Sequence, residues 1–476
     1  MERNVEPLNS GRILARMDRI SVWSLPYLFI GIIGVGFLFT FYDIFNINVS
    51  FIETCGAIVP GCTPVGAAHF IGLPVMMNLV GYVVGTLILS PLADRFGRRD
   101  MLLVTMMITG LGSLWTAFSH DYSTFIWSRA LTGVGVGADL AIVNTYINEV
   151  APKEGRARYT ALIFIMSGIG AFLGIWIGLW LTTPATPFPL GLPIAMAGPH
   201  FLNGWRLMYF VGAFLALVGV LLRVRMPESP RWLITRNRTE EAEHIVFHME
   251  EMARQKQTLR NPGADVEVIQ AKKPLPYSEI FADPKYRKRT FLLLAMWSIG
   301  YVTVYSFAAG FTSLLVSLHY PVPEAGLIAA FGTVGMILSG VVAYGWGERL
   351  ERKVWMLWSA LLTLLGGFII AEAGTILWLS MFGAIMVFFG FDLWVPIAYA
   401  WSTEHYPTRA RASGFALVDG LGHLGGGVGV LLVVPFVSGL PVLGAFMIIG
   451  GFLAVSALVA QGGMSTRGIA LDELSP

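Results

Sequence analysis

The sequence predicts an all-α integral membrane protein whose twelve crossing helices form two pseudo-symmetric bundles of six. Three observations carry that prediction. Of 476 residues, 55% are hydrophobic and only 13% charged, with a mean hydropathy of +0.66, whereas soluble domains carry about 25% charged residues. Twelve apolar stretches also reach the roughly 20 helical residues needed to cross a hydrocarbon layer of about 30 Å. The third observation is a repeat. Ser90 to Arg99 contains Asp94-Arg95, and 254 residues later Tyr344 to Lys353 contains Glu348-Arg349. Glu149, Pro152 and Arg156 form E-x-x-P-x-x-x-R, and Glu404, Pro407 and Arg411 form it again 255 residues on. So long a period marks a duplicated six-helix unit rather than a solenoid repeat.

The predicted spans are 25–49, 67–90, 101–119, 124–148, 157–181, 206–225, 290–317, 325–347, 354–373, 376–401, 411–434 and 440–461. They divide the chain into an N-terminal tail (1–24), a first bundle (25–225), a linker (226–289), a second bundle (290–461) and a C-terminal tail (462–476). Glycines such as Gly133, Gly135 and Gly137 in the fourth span allow helices to approach closely in lipid, where apolar side chains gain little by associating. Orientation follows from the basic residues, which are retained on the cytoplasmic side. With the N-terminus inside, all 32 Lys and Arg except Arg129 and Arg206 belong to the tails or the inner loops. The expected setting is therefore the cell membrane, multi-pass, with both termini cytoplasmic. Net charge is only +2, so the distribution carries this information and the total does not. The tail with Arg3, Arg12, Arg16 and Arg19 is too long to read as a removable signal.

In the linker, Ala242, Ile245, Val246, Met249 and Ala253 recur at helical spacing, which predicts an amphipathic helix lying on the bundle or the lipid headgroups. The outer loop 182–205 contains Pro184, Pro187, Pro189, Pro193 and Pro199, so it is not a regular helix throughout, and it is expected to cap the outer mouth. Cys55 and Cys62, the only cysteines, lie in the first outer loop. They are either a local disulfide or two free thiols.

A charge at the bilayer centre costs about 2.5–3.5 kcal/mol even on lenient insertion scales, so ionisable residues inside spans need a partner, a wet cavity or a role. Those residues are Asp43, Arg129, Asp139, Asp392, Asp419 and His423. Asp43 and Arg129 lie at comparable depth in the outer halves of spans one and four. As a pair they are either a fixed packing element or a proton site, with Arg129 lowering the proton affinity of Asp43 while engaged. Asp139 is a second candidate proton or substrate site. Asp419 and His423 are four apart and share a helix face; His can become cationic near neutral pH. Asp392 beside Trp394 is a candidate for the cavity wall, and Trp297, Tyr301 and Tyr305 share one face of span seven. Tyr42 joins the candidate substrate contacts.

These residues bring a family into view, because the chain resembles the major facilitator superfamily over nearly its whole length. Ser90 to Arg99 is similar to the signature loop between spans two and three, with Ser90 in place of the usual first Gly. Arg129 to Gly137 resembles the fourth-span motif of the sugar-porter branch, and Pro227-Glu-Ser-Pro-Arg-Trp-Leu233 that branch's mark after span six. The resemblance implies a central site and alternating access by rocking of the two bundles. It also implies a cytoplasmic gate of ion pairs that hold the inside shut, with Asp94, Arg95, Arg98, Arg99, Glu149 and Arg156 in one half and Glu348, Arg349, Arg352, Glu404 and Arg411 in the other. Asp43 and Arg129 match the coupling pair of proton-linked sugar porters.

Substrate class divides the resemblance. The glutamines that read sugars in spans five and seven of sugar porters are missing here, which would leave a hexose's hydroxyls unmet. Tyr42-Asp-Ile-Phe45, Gly137-Ala-Asp139 and Gly422-His-Leu-Gly425 resemble marks of anion and phosphate symporters, with His423 standing where the phosphate branch has Lys. Thr40 stands where many aromatic-acid symporters carry another Asp. The expected function is proton-coupled symport of a small polar metabolite, an organic anion first and a sugar or polyol second, by a monomer. A transporter-like nutrient sensor is the reading from another class. No metal-ligand cluster, phosphate-cradling G-x-x-x-x-G-K-[ST] loop or hydrolase triad is present in order, so neither an enzyme nor a cofactor nor nucleic-acid binding is expected.

Overall fold

The structure is a computed structural model that describes residues 10–25, 27–152, 156–182, 203–259, 261, 277–347, 349–406 and 411–467. Twelve helices among them are long and apolar enough to cross a membrane. The first half contains Tyr27–Ile58, Gly72–Val84 continued by a π turn at Gly85–Leu89, Arg98–Ala117, Tyr122–Val150, Arg156–Thr182 and Gly204–Arg223. The second contains Pro284–Ala308, Val322–Trp346, Arg352–Ala373, Leu377–Glu404, Arg411–Val428 with a π turn at Gly429–Val433, and Val442–Gln461. The first span runs past its predicted end at 49. Asn46, Asn48 and Ser50 lower the local hydropathy, yet they are buried against protein rather than lipid. The seventh span departs from prediction in the other direction, breaking at Ala309 and Gly310 before resuming as Phe311–Ser317.

The duplication is visible in the packing. A Cβ at Gly135 would overlap Thr109, and one at Gly390 would overlap Thr363 in the same manner. Arg98 donates to the Ala93 carbonyl at 2.8 Å and Arg352 to the Gly347 carbonyl at 2.8 Å, so each half closes its third helix onto the preceding turn. Spans two and four lie backbone to backbone, because any side chain at Gly133 would collide with the carbonyl of Asn78.

The face that carries the linker is built by the motif after span six. Glu228 accepts from the backbone N–H groups of Arg98 (3.1 Å) and Arg99 (3.2 Å), capping the third span where its first N–H groups lack partners. Burial raises the Glu228 carboxyl above its ordinary range, although these N–H groups oppose the shift. Trp232 Nε1 donates to the Asp94 carbonyl at 2.9 Å and ties the linker to the signature loop. The amphipathic linker helix is Thr239–Arg254, with Ala242, Val246, Met249 and Ala253 buried. Its partner is a helix at Ser10–Asp18, within the stretch expected to be an N-terminal tail. Arg16 and Arg19 both reach Glu250, at 2.8 and 2.6 Å. Burial pushes the Glu250 carboxyl up, but the two guanidinium groups bring it below its ordinary range. On the opposite face Cys55 and Cys62 are joined in a disulfide, with Cα atoms 5.8 Å apart. The proline-rich outer loop lies outside the described residues over 183–202.

His405, just past the tenth span, is enclosed beneath the chain that leaves the twelfth. Its Nδ1 meets the Trp401 carbonyl at 2.8 Å, Arg289 donates to its own carbonyl at 2.9 Å, and Glu351 holds the departing backbone at Thr466. Burial, with Arg289 and Lys353 nearby, lowers its pKa from 6.5 to about 4. Between those values the unfolded chain binds a proton that the folded chain refuses, so stability is full above about pH 6.5 and declines as pH falls toward 4. We expect the thermal midpoint of detergent-solubilised protein to drop across that window, with up to about 3 kcal/mol at stake, and His405→Gln to flatten the profile.

Candidate functional site

The charges predicted inside the spans, Asp392 apart, sort into three separate clusters. In the first, Arg129 Nη1 lies 3.0 Å from Asp43 Oδ2, and both side chains are 2% exposed. Arg129 Nη2 also donates to the Asp43 carbonyl at 3.1 Å, Ser113 donates to Asp43 Oδ1, and the Tyr209 ring lies 5.5 Å from the guanidinium. Spans one, three, four and six thus enclose one carboxylate and one cation within the first half. Removing either partner from so dry a site leaves a buried charge alone.

The second cluster holds Asp139, and it does not meet the other candidate substrate residues. Asp139 is fully buried between spans three, four and six, receiving both terminal nitrogens of Arg223, one of them at 2.9 Å, and Thr105 Oγ1 at 2.8 Å. Sequence reasoning missed Arg223, which it counted as an inner-end cation. The only signal was its place one helix end away from an acid of similar depth.

The third cluster joins the two halves. Asp419, on span eleven, accepts from Tyr301 at 2.6 Å and from Tyr82, across the interface on span two, at 3.0 Å. His423 Nδ1 is 2.7 Å from the Asp419 carbonyl and 3.6 Å from its carboxylate. A carbonyl only accepts, so Nδ1 carries hydrogen and Nε2 is the position that gains or loses a proton. The imidazole lies flat on the Tyr82 ring, with centroids 3.7 Å apart, and Tyr301 and Tyr305 flank it at 4.2 and 5.5 Å. Trp297 and Trp394, 4.8 Å apart, extend the ring wall behind Tyr301. Tyr82 is the member that sequence reasoning missed, since a single tyrosine in an apolar span carries no periodic signal.

Two other predicted contacts stand away from this cluster. The Tyr42 hydroxyl donates to the Met208 carbonyl at 3.0 Å inside the first half. Asp392 accepts from Ser339 at 2.5 Å, on a different face of span ten from Trp394. The linker-face charges pair within their own halves among the described residues. Arg98 binds Glu149 at 2.8 Å and Asp94 at 2.7 Å, and Arg352 reaches Glu404 at 3.4 Å. Arg99 donates to the Val224 carbonyl, and Arg95 and Arg349 stack on the neighbouring rings Phe96 and Trp346. Glu348 and Pro407, and the side chains of Arg156 and Arg411, lie outside the described residues. On the opposite face the halves meet directly, as where Gly72 packs on Leu431 and Gly326 on Leu179.

Twelve spans in two repeated halves, with Asp43, Arg129, Asp139, Arg223, Asp392, Asp419 and His423 buried among them, are those of a membrane carrier of the major facilitator superfamily and not an enzyme. The chain belongs to the family described as "Sugar (and other) transporter", whose profile matches residues 35–475. It is 24% identical to the niacin transporter NiaP of Acinetobacter baylyi over 97% of this chain and 99% of that one. It is 29% identical to the 4-hydroxybenzoate transporter PcaK of Pseudomonas aeruginosa over 74% of each. Its fold is similar to that of the xylose transporter XylE of E. coli in a partially occluded inward-open conformation, with a TM-score of 0.73, 19% identity, and 93% and 99% of the two chains covered.

Proposed function

We propose that this carrier is a proton-coupled symporter that imports a small organic anion, and that an aromatic carboxylate suits its site best. The observation that carries the reading is the third cluster, an Asp–His pair walled by tyrosine rings at the junction of the two halves. Flat rings at this spacing favour a flat partner, since offset or edge-on ring contacts add to burial. An anion arriving beside Asp419 meets a like charge, so it binds well only when a proton accompanies it, on His423 Nε2 or on Asp419. In the same reading, protonation of Asp43 loosens Arg129 and biases the equilibrium between conformations. The rocking units are the bundles 25–225 and 290–461, working in a cell membrane with the linker face and both termini cytoplasmic. The relatives named for niacin and 4-hydroxybenzoate are in keeping with such a substrate.

Sugar or polyol uptake is the second reading, favoured by the family description and by the likeness to XylE. Proteoliposomes with an imposed pH gradient separate the two. Radiolabelled benzoate or nicotinate is expected to accumulate with the gradient while xylose does not. Gradient-driven xylose uptake with no carboxylate flux overturns the reading.

A further inference from the structure

The seventh span breaks where its backbone should be continuous, and a side chain from the other half fills the gap. In an unbroken helix the carbonyl of Ala308 would accept from the N–H of Thr312, four residues on. Here Asn48, on the first span, stands between them. Its Nδ2 donates to the carbonyls of Ala308 at 2.7 Å and Phe307 at 3.1 Å, while its Oδ1 accepts from Thr312 N at 3.3 Å and Thr312 Oγ1 at 2.5 Å. The amide group therefore stands in for a peptide unit of the broken helix. Asn48 is fully buried, so water does not compete for these bonds, and withdrawing it strands four polar groups of the break in a dry interface.

We infer that Asn48 is the latch of the gate on the face opposite the linker, and that it links this gate to the Asp43–Arg129 pair. The short segment Phe311–Ser317 belongs to the second half, because Phe311 packs on Phe388 and Phe446. Among the described residues Asn48 is the polar tie from that segment to the first half. It sits five residues beyond Asp43 on the same helix, so a shift of the first span that accompanies a change at Asp43 moves the latch as well. Opening the face opposite the linker requires that the amide leave the break, after which water takes over the four groups. Closing it restores the bonds, and the break is what makes the segment a separable lid.

The test needs neither a known substrate nor a known membrane orientation. Both native cysteines are engaged in the disulfide, so spin labels attach only at introduced ones. Labels at Val65 and Ile376, exposed positions at the opposite-face ends of the two halves, report the gate by electron–electron double resonance. Labels at Val65 and Phe118, both in the first half, report its integrity. Asn48→Ala is expected to raise the ratio of long to short Val65–Ile376 distances at least tenfold, with the Val65–Phe118 distance unchanged. Thr312→Val, which removes one bond and keeps the shape, is expected to raise it a few-fold and covers the case in which the first variant fails to fold. Unchanged gate distances in both variants that fold, or equal broadening of the two label pairs, overturns the inference.

Discussion

Replacing Asp43 by Asn is expected to abolish accumulation driven by a pH gradient, bringing the internal-to-external ratio of substrate down to about one, while exchange of labelled for unlabelled substrate survives within several-fold. The substitution keeps the size and polarity of the side chain but removes its titration. Asp43 is enclosed by Arg129 and Ser113 and meets no other acid among the described residues, so on the proposed reading nothing in that cluster takes over its part in coupling. The proton that accompanies the anion at the Asp419–His423 pair is left without the step that biases the conformations. Exchange needs only the conformational cycle with substrate bound, and the amide oxygen still accepts from Arg129. The two behaviours therefore separate. Proteoliposomes loaded with or without unlabelled substrate, and with or without the gradient, measure both in one preparation. Accumulation equal to that of the parent protein would remove Asp43 from the coupling mechanism. Arg129→Met is expected to be harsher and to lower stability, because it leaves a carboxylate with one hydroxyl in a dry site, a loss of about 3–5 kcal/mol.

Twelve spans and the twofold repeat were legible because lipid imposes a length and a polarity on every helix that crosses it. The Asp43–Arg129 pair was legible for a related reason, since intramembrane charges of opposite sign at one depth have few alternatives to meeting. Asp419 and His423 followed from helical spacing. What hydropathy did not reveal was held by tertiary contact. The break at Ala309–Gly310 sits in a run without a charge or a proline, and Asn48, 261 residues earlier in sequence than Ala309, supplies the missing partners. Arg223 resembled an ordinary end-of-span cation until Asp139 was seen opposite it. Tyr82 gained meaning only when the halves were brought together, since its ring and hydroxyl address a helix of the other bundle. The helix at Ser10–Asp18 was obscured by its basic residues, which read as orientation signals; Arg16, with Arg19 just past the helix end, also binds Glu250.

The Asp139–Arg223 pair leads to the second large effect, and it distinguishes a strut from a proton carrier. Arg223→Met should destabilise the protein by about 3–5 kcal/mol, because Asp139 would keep, among the described residues, only the uncharged donor Thr105 in a buried site. Combining it with Asp139→Asn should recover most of that loss, since a neutral amide beside an apolar side chain no longer carries an uncompensated charge. Thermal unfolding of the two single variants and the double variant in detergent gives the coupling directly. A strut also predicts what transport does. Asp139→Asn should reduce the amount of folded protein yet leave the accumulation ratio per folded molecule as it was, the reverse of the expectation for Asp43→Asn. An accumulation ratio that falls toward one in Asp139→Asn would instead make Asp139 a second proton carrier, with Arg223 as the cation that governs it. Two acids that occupy the same half, each beside an arginine, would then load protons in sequence rather than divide the work between coupling and support.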